Sequence, residues 1–363
     1  MKNSPLHSRH IALEAKMADF GGWLMPIEYP ATGVLSEHAA VRERVGIFDV
    51  SHLGKASVTG EGALEFLNSI FTNDLNRISD GQAQYTLLCN SQGGVIDDLI
   101  VYRNSATDFF LVPNASNTTD VVKDLQAKAP STITIENLHE AYGVIALQGP
   151  LATAVLKSLG VSGDLEYMAF SHVTIGTASA LLCRTGYTGE HGFEIIPARK
   201  DVEAVWDALS AEVLRQQGAV CGLGARDTLR TEMGYPLHGH ELSLSISPVQ
   251  ASATWAIGWK KGVFQGSDVL TAEKSAGATR RMRGLRSNDR GIPRAEMTVT
   301  DPAGAVVGVV TSGTFSPTLR VGIALALVDT SLSIGDEVSI DIRGRKSVAT
   351  IVELPFVPSR VRD

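Results

Sequence analysis

Gly93-Gly94-Val95-Ile96-Asp97-Asp98-Leu99-Ile100-Val101-Tyr102 is the stretch whose reading decides the fold. Paired glycines reverse the chain, and Leu99, Ile100 and Val101 are strand formers, so a turn feeds a strand. Two consecutive carboxylates, Asp97-Asp98, interrupt the apolar run. Successive side chains on a strand point to opposite faces, so one aspartate is expected in solvent and the other inside. Asp98, Ile100 and Tyr102 then share a face. A carboxylate desolvated beside a tyrosine has a raised pKa, which suits proton transfer. The residues alone favour Asp98 as a hydrogen-bonded turn residue over this proton-transfer reading.

Outward from that strand, short elements alternate. A helix is expected from about Val34 to Val45 and a strand over Ile47-Phe48-Asp49-Val50. Next come strand (Lys55 to Thr59), helix (Gly62 to Phe71), strands (Gln84 to Cys89, Val95 to Tyr102, Phe109 to Val112) and helix (Thr118 to Ala129). An α+β layer with a mostly antiparallel sheet is the economical arrangement. Strands follow at Thr132–Ile135, Val144–Gln148 and Ser179–Cys183. Val202, Val205, Trp206, Leu209 and Val213 keep helical spacing, which predicts an amphipathic helix over Asp201 to Gln216. From Arg280 onward, short alternating runs broken by Asp301-Pro302, Ser312-Gly313 and Arg343-Gly344 read as a small all-β sandwich or barrel. The domain break is expected near residues 272–282.

The chain has 363 residues, 44% hydrophobic and 20% charged, which describes an ordinary globular protein of two or three domains. A net charge of −7 argues against a nucleic-acid binder. The longest apolar runs are too short for a membrane span. No signal-peptide core or Arg-rich presequence opens the chain, so a cytoplasmic compartment is expected. Cys89, Cys183 and Cys221 are scattered and form no C-x-x-C pair, consistent with reduced core residues.

Other features have two readings. Tyr85 and Tyr102 suit half-buried sheet positions, and Arg226 could pair with Asp227 or Glu232. His238-Gly239-His240 looks like a metal pair, but no carboxylate or cysteine spacing completes a site, so no metal is expected. Ser51-His52 beside Asp49 has the composition of a hydrolase triad, yet neighbours on one strand cannot converge. Gly222-Leu223-Gly224 lacks the rest of a dinucleotide fingerprint.

Five motifs stand in one order: Asp49-Val50-Ser51-His52, Gly93 to Asp98, Arg184-Thr185-Gly186-Tyr187-Thr188-Gly189-Glu190, Gly222-Leu223-Gly224-Ala225-Arg226-Asp227 and Thr311-Ser312-Gly313-Thr314-Phe315-Ser316-Pro317. Together they resemble the aminomethyltransferase, or T protein, family of the glycine cleavage system, from Ser4-Pro5-Leu6 to Pro355-Phe356-Val357. The resemblance implies a three-domain α+β cloverleaf around a central folate channel. Residues 1–272 would hold two interleaved subdomains, one ferredoxin-like (about 53–130 plus 190–218), and residues 280–363 a C-terminal β-barrel. The implied reaction transfers the one-carbon unit from the aminomethyl-lipoyl arm of the H protein to tetrahydrofolate, the co-substrate, and releases ammonia.

The resemblance also implies residue roles. Asp98 is the catalytic aspartate, and Tyr85, Tyr102, Asn114, Tyr187, Glu194, Arg226 and Trp255 join it in contacting folate. These residue types suit folate, since a carboxylate accepts pterin N–H groups and aromatic rings supply flat walls. The chain departs from many relatives at Leu53, Lys55, Met168 and Gln250. Alternatives on the same fold are a folate-dependent demethylase and a non-catalytic folate-binding assembly or repair factor. The latter tends to carry a cysteine-containing loop where this chain has Tyr187-Thr188-Gly189-Glu190. Because H proteins are acidic, a carrier would need a local basic patch. Arg280, Arg281, Arg283, Arg286, Arg290 and Arg294 with Arg343, Arg345 and Lys346 supply a candidate.

Overall fold

The computed structural model describes all 363 residues. The decisive stretch forms the long strand Val95–Ser105, second in a five-stranded antiparallel sheet. Its order is Gln82–Cys89, Val95–Ser105, Asp108–Val112, Ala56–Gly60 and Ile133–Asn137. Helices Ala63–Ile70 and Thr118–Lys128 connect these strands in the split βαββαβ pattern, so the sheet is ferredoxin-like with one added edge strand. One face carries Leu99 and Val101 into a core with Phe66, Leu67, Val121 and Leu125 of the helices. Each such side chain contributes about 1.5–3 kcal/mol by leaving water. The other face carries Asp98, Ile100 and Tyr102, as the alternation requires.

Here the sequence expectation for the aspartates needs correction. Asp97 is fully buried rather than solvated, because the sheet face opposite Asp98 is covered by helix Thr118–Lys128. Asp97 meets that helix at its start. It accepts hydrogen bonds from the Asn114 backbone N–H at 3.0 Å and from Nδ2 of Asn114 and Asn117 at 2.8 and 2.7 Å. A carboxylate is favourable at a helix N-terminus.

The second layer is a six-stranded sheet in the order Phe170–Ile175, Ala178–Cys183, Gly192–Pro197, Ile145–Gln148, Gly46–Asp49 and Ala219–Cys221. Strand Gly192–Pro197 pairs on both sides within this sheet. Helix Val202–Arg215, with Trp206, packs on the same sheet. The segment 190–218 therefore belongs to the six-stranded layer; the expectation that it completes the ferredoxin-like unit is corrected. That unit closes within 56–137.

Residues 280–352 form a closed six-stranded barrel. It is tied to helix Leu223–Glu232 by the buried Glu232. This carboxylate takes bonds from Ser316 Oγ at 2.5 Å, Thr318 Oγ1 at 3.0 Å and Arg42 Nη2 at 2.8 Å. No helix is long and apolar enough to cross a membrane.

The turn before the decisive strand is pressed by a second loop. A Cβ on Gly94 would lie 1.9 Å from the Leu244 carbonyl oxygen, so glycine alone permits the contact. The Val95 N–H then donates to the Ser243 carbonyl at 2.8 Å. Loop 235–246 is thereby fixed against the N-terminal end of the strand that bears Asp98.

Candidate functional site

A cavity of about 570 Å³, within the range of small-molecule sites, opens between the two layers. Its lining runs from Phe20 to Trp255, with Tyr85, Asp98 and Asn114 from the ferredoxin-like layer and Thr185, Tyr187 and Glu194 from the six-stranded one. Helix Leu223–Glu232 adds Arg226, and a single helical turn, Thr254–Ala256, adds Trp255.

At one wall, the Tyr85 hydroxyl donates to Asp98 Oδ2 at 2.9 Å, and Asn114 Nδ2 lies 2.9 Å from Oδ1. Burial pushes the Asp98 pKa up, and these two bonds pull it back only partly. Asp97 is pushed up to about 7 by burial and by the charge of Asp98. The Tyr85 ring stacks on Trp255, with centroids 5.1 Å apart and planes 25° from parallel. Trp255 is 63% exposed, so this pair forms a flat apolar edge at the mouth.

At the other wall, Glu194 is buried and accepts from Thr185 Oγ1 at 2.6 Å. Arg226 lies over the Tyr187 ring, its Cζ 4.9 Å from the centroid. Its Nη1 is buried without any hydrogen-bond partner. Burial lowers its pKa, although a guanidinium stays charged at any ordinary pH. An orphaned cationic donor costs free energy unless something in the cavity accepts from it. Tyr187 is held in turn by its hydroxyl donating to the Pro236 carbonyl and by stacking on Tyr235.

Two domain families match the chain: the GCVT N-terminal domain over residues 6–261 and the glycine cleavage T-protein C-terminal barrel domain over residues 280–358. The chain is 57% identical to an aminomethyltransferase of Parafrankia sp. (strain EAN1pec), covering 100% of this chain and 99% of the relative. It is 55% identical to an aminomethyltransferase of Mycobacterium avium (strain 104), covering 99% and 98%. The fold superposes with a TM-score of 0.93 on the crystal structure of glycine cleavage system aminomethyltransferase T from Bartonella henselae. That match has 34% identity and covers 100% of this chain and 99% of the other. The chain belongs to the glycine cleavage T-protein family.

Of the residues that the family resemblance singles out, Tyr85, Asp98, Asn114, Tyr187, Glu194, Arg226 and Trp255 converge on this cavity. Tyr102 does not reach it. Its ring is 1% exposed among Phe110 and Phe170, and its hydroxyl stands 3.3 Å from Thr185 Oγ1. It braces the threonine that holds Glu194. His52, Asn73, Arg77, Tyr167 and Tyr235 also line the cavity and escaped the sequence reading. His52 had a local signal, the Asp49–His52 motif, but not as a hydrolase triad. Asp49 bonds His10 at 2.8 Å instead, in a separate buried cluster. His238 and His240 do not point at a common centre. His238 bonds Asn117 and the Val95 carbonyl, whereas His240 bonds the Thr311 carbonyl.

Proposed function

We propose that the chain is an aminomethyltransferase of the glycine cleavage system. In this reading it takes the aminomethyl group from the lipoyl arm of a lipoylated H protein. The carbon passes to tetrahydrofolate as co-substrate, giving 5,10-methylenetetrahydrofolate, ammonia and the reduced lipoyl arm. The observation that carries the reading is Asp98: a carboxylate with a raised pKa, fixed by Tyr85 and Asn114, facing a cavity whose opposite wall holds Glu194 and Arg226.

Each group has a role that the geometry supports. Asp98 holds the reacting folate nitrogen in line and accepts or relays its proton. Glu194 accepts charge-assisted bonds from the pterin N–H edge, with Thr185 and, behind it, Tyr102 keeping it in place. Arg226 Nη1, unpartnered in the protein, donates to a ligand acceptor. Tyr85, Trp255 and Tyr187 supply the flat walls that a fused ring system packs against. Cys89, Cys183 and Cys221 are all free and buried, in keeping with work in a reducing cytoplasm.

The test mixes the protein with aminomethyl-loaded H protein and tetrahydrofolate and measures ammonia. Release that needs both the carrier and folate supports the reading. Absence of release with both present sinks it.

A further inference from the structure

We propose that His238 is a positioning residue for Asp98, acting through Asn117, Asp97 and Asn114. The proposal rests on Asp98 as the reacting carboxylate. His238 itself lines no part of the cavity; it sits in the loop pressed onto the Gly93-Gly94 turn.

The chain of contacts has one consistent assignment of hydrogens. His238 Nε2 lies 3.1 Å from the Val95 carbonyl oxygen, which only accepts, so Nε2 carries the proton and Nδ1 presents a lone pair. Asn117 Nδ2 lies 3.0 Å from that Nδ1 and 2.7 Å from Asp97 Oδ1. Both amide hydrogens of Asn117 are therefore used, one on each acceptor. A flipped amide would set its oxygen against a carboxylate oxygen and a lone pair at once. His238 and Asp97 together thus fix which way Asn117 faces.

Asp97 passes this orientation on. Its Oδ1 takes Asn117 and Asn114 Nδ2 (2.8 Å), and its Oδ2 takes the Asn114 backbone N–H at 3.0 Å. The same Asn114 Nδ2 lies 2.9 Å from both Oδ1 and the backbone oxygen of Asp98. It thereby places amide hydrogens between two neighbouring carboxylates that would otherwise repel. Asp98 Oδ1 is set by this chain and Oδ2 by Tyr85. Removing the His238 acceptor leaves one Asn117 amide hydrogen without a partner and the amide held by Asp97 alone, and the loosening travels through Asp97 and Asn114 to the reacting carboxylate.

The loop is held independently, which separates positioning from folding. Glu241 Oε2 accepts from the Leu237 N–H at 3.0 Å and from Arg230 Nη1 at 3.1 Å, and Ser243 accepts from Val95. None of these contacts involves the imidazole.

The experiment compares three variants in the ammonia-release assay with H protein and tetrahydrofolate. His238→Asn keeps an acceptor where Nδ1 stands, and His238→Gln keeps only a donor where Nε2 stands. His238→Leu keeps neither. Leu and Gln are expected to lower kcat between about ten- and a hundredfold, with the folate KM within about twofold, whereas Asn recovers most of the rate. An Asn117→Ala/His238→Leu double variant should lose no more than the Asn117→Ala single, since both cut one chain. Wild-type kcat in His238→Leu overturns the proposal, as does a His238→Asn variant as slow as His238→Gln. If the unaltered protein releases no ammonia, or Asp98→Asn turns over normally, it is the functional reading that fails.

Discussion

The hydroxyl of Tyr85 donates to Oδ2 of Asp98 across 2.9 Å, which ties the carboxylate facing the cavity to its aromatic wall. The bond favours the ionised carboxylate and opposes the burial that raises its pKa. Tyr85→Phe removes the donor, so the Asp98 pKa should rise further. A base must be deprotonated to act, so the acid limb of the kcat/KM profile should move to higher pH. A limb that stays put or moves down would break the link between Tyr85 and the titrating group.

Asp98→Asn keeps the shape and the Asn114 contact but cannot take a proton. Turnover should fall by about 10²-fold or more while folate binding is retained. Ammonia release and calorimetry together check this, and normal turnover would remove Asp98 from the mechanism.

Glu194→Gln weakens the acceptor facing the ligand without changing its size, and the folate dissociation constant should rise roughly tenfold. Arg226→Met should do the same by deleting the unpartnered Nη1 donor. Unchanged calorimetric affinity in both variants would exclude this wall as the pterin site.

Glu232 joins helix Leu223–Glu232 to the barrel, and its pKa is lowered to about 2 from its ordinary 4.5. Burial opposes that shift, while bonds to His38, Arg42 and Ser316 outweigh it. A depressed acid stabilises the folded state above its unfolded pKa and loses that stabilisation as pH falls through the folded one. The contribution, about 3 kcal/mol, should be complete above pH ~5 and gone by pH ~2. Acid unfolding of Glu232→Gln should show a shallower loss of stability across that window.

Arg281 and Arg283 lie on the barrel strand Arg280–Ser287, Arg281 exposed and Arg283 half-buried, close enough that the charge of Arg281 lowers the Arg283 pKa after burial has done so. In a chain of net charge −7, we propose that they are a local docking point for the acidic carrier of the proposed reaction. The Arg281→Glu, Arg283→Glu double variant should slow transfer from H protein and weaken its salt dependence, yet leave transfer from free aminomethyl-lipoamide intact. Equal losses with both donors would mean damage to the fold or cavity.

Much of this architecture is legible in local pattern. The turn-and-alternation signal around Gly93–Tyr102 locates the central strand and puts Asp98, Ile100 and Tyr102 on one face. What the pattern cannot supply is what covers each face. Asp97 looks solvent-directed until helix Thr118–Lys128 is laid across it. Strand Gly192–Pro197 is buried at all six positions, so it shows no alternation, and its glutamate and proline disguise it as loop. Glu194 was therefore reachable only through family resemblance. The role of Tyr102 differs for a similar reason. Periodicity gives its face, but whether that face meets a cavity or packed rings depends on Phe110 and Phe170, distant in sequence.

The cavity wall is divided among different elements: Tyr85 and Asp98 on one sheet, Glu194 on the other with Thr185 in the loop that precedes its strand, and Trp255 on the single turn Thr254–Ala256. No one layer presents enough surface to hold a ligand, so occupancy rewards only the fully assembled chain. At a ligand concentration of 100 times the dissociation constant, that reward is about 2.7 kcal/mol, granted to every layer at once. The two sheets already share a buried cluster, with Ala83 and Tyr102 from one and Phe48, Ala146 and Ile196 from the other, so a ligand should raise their common transition, making the melting temperature a gauge of occupancy as well as of stability.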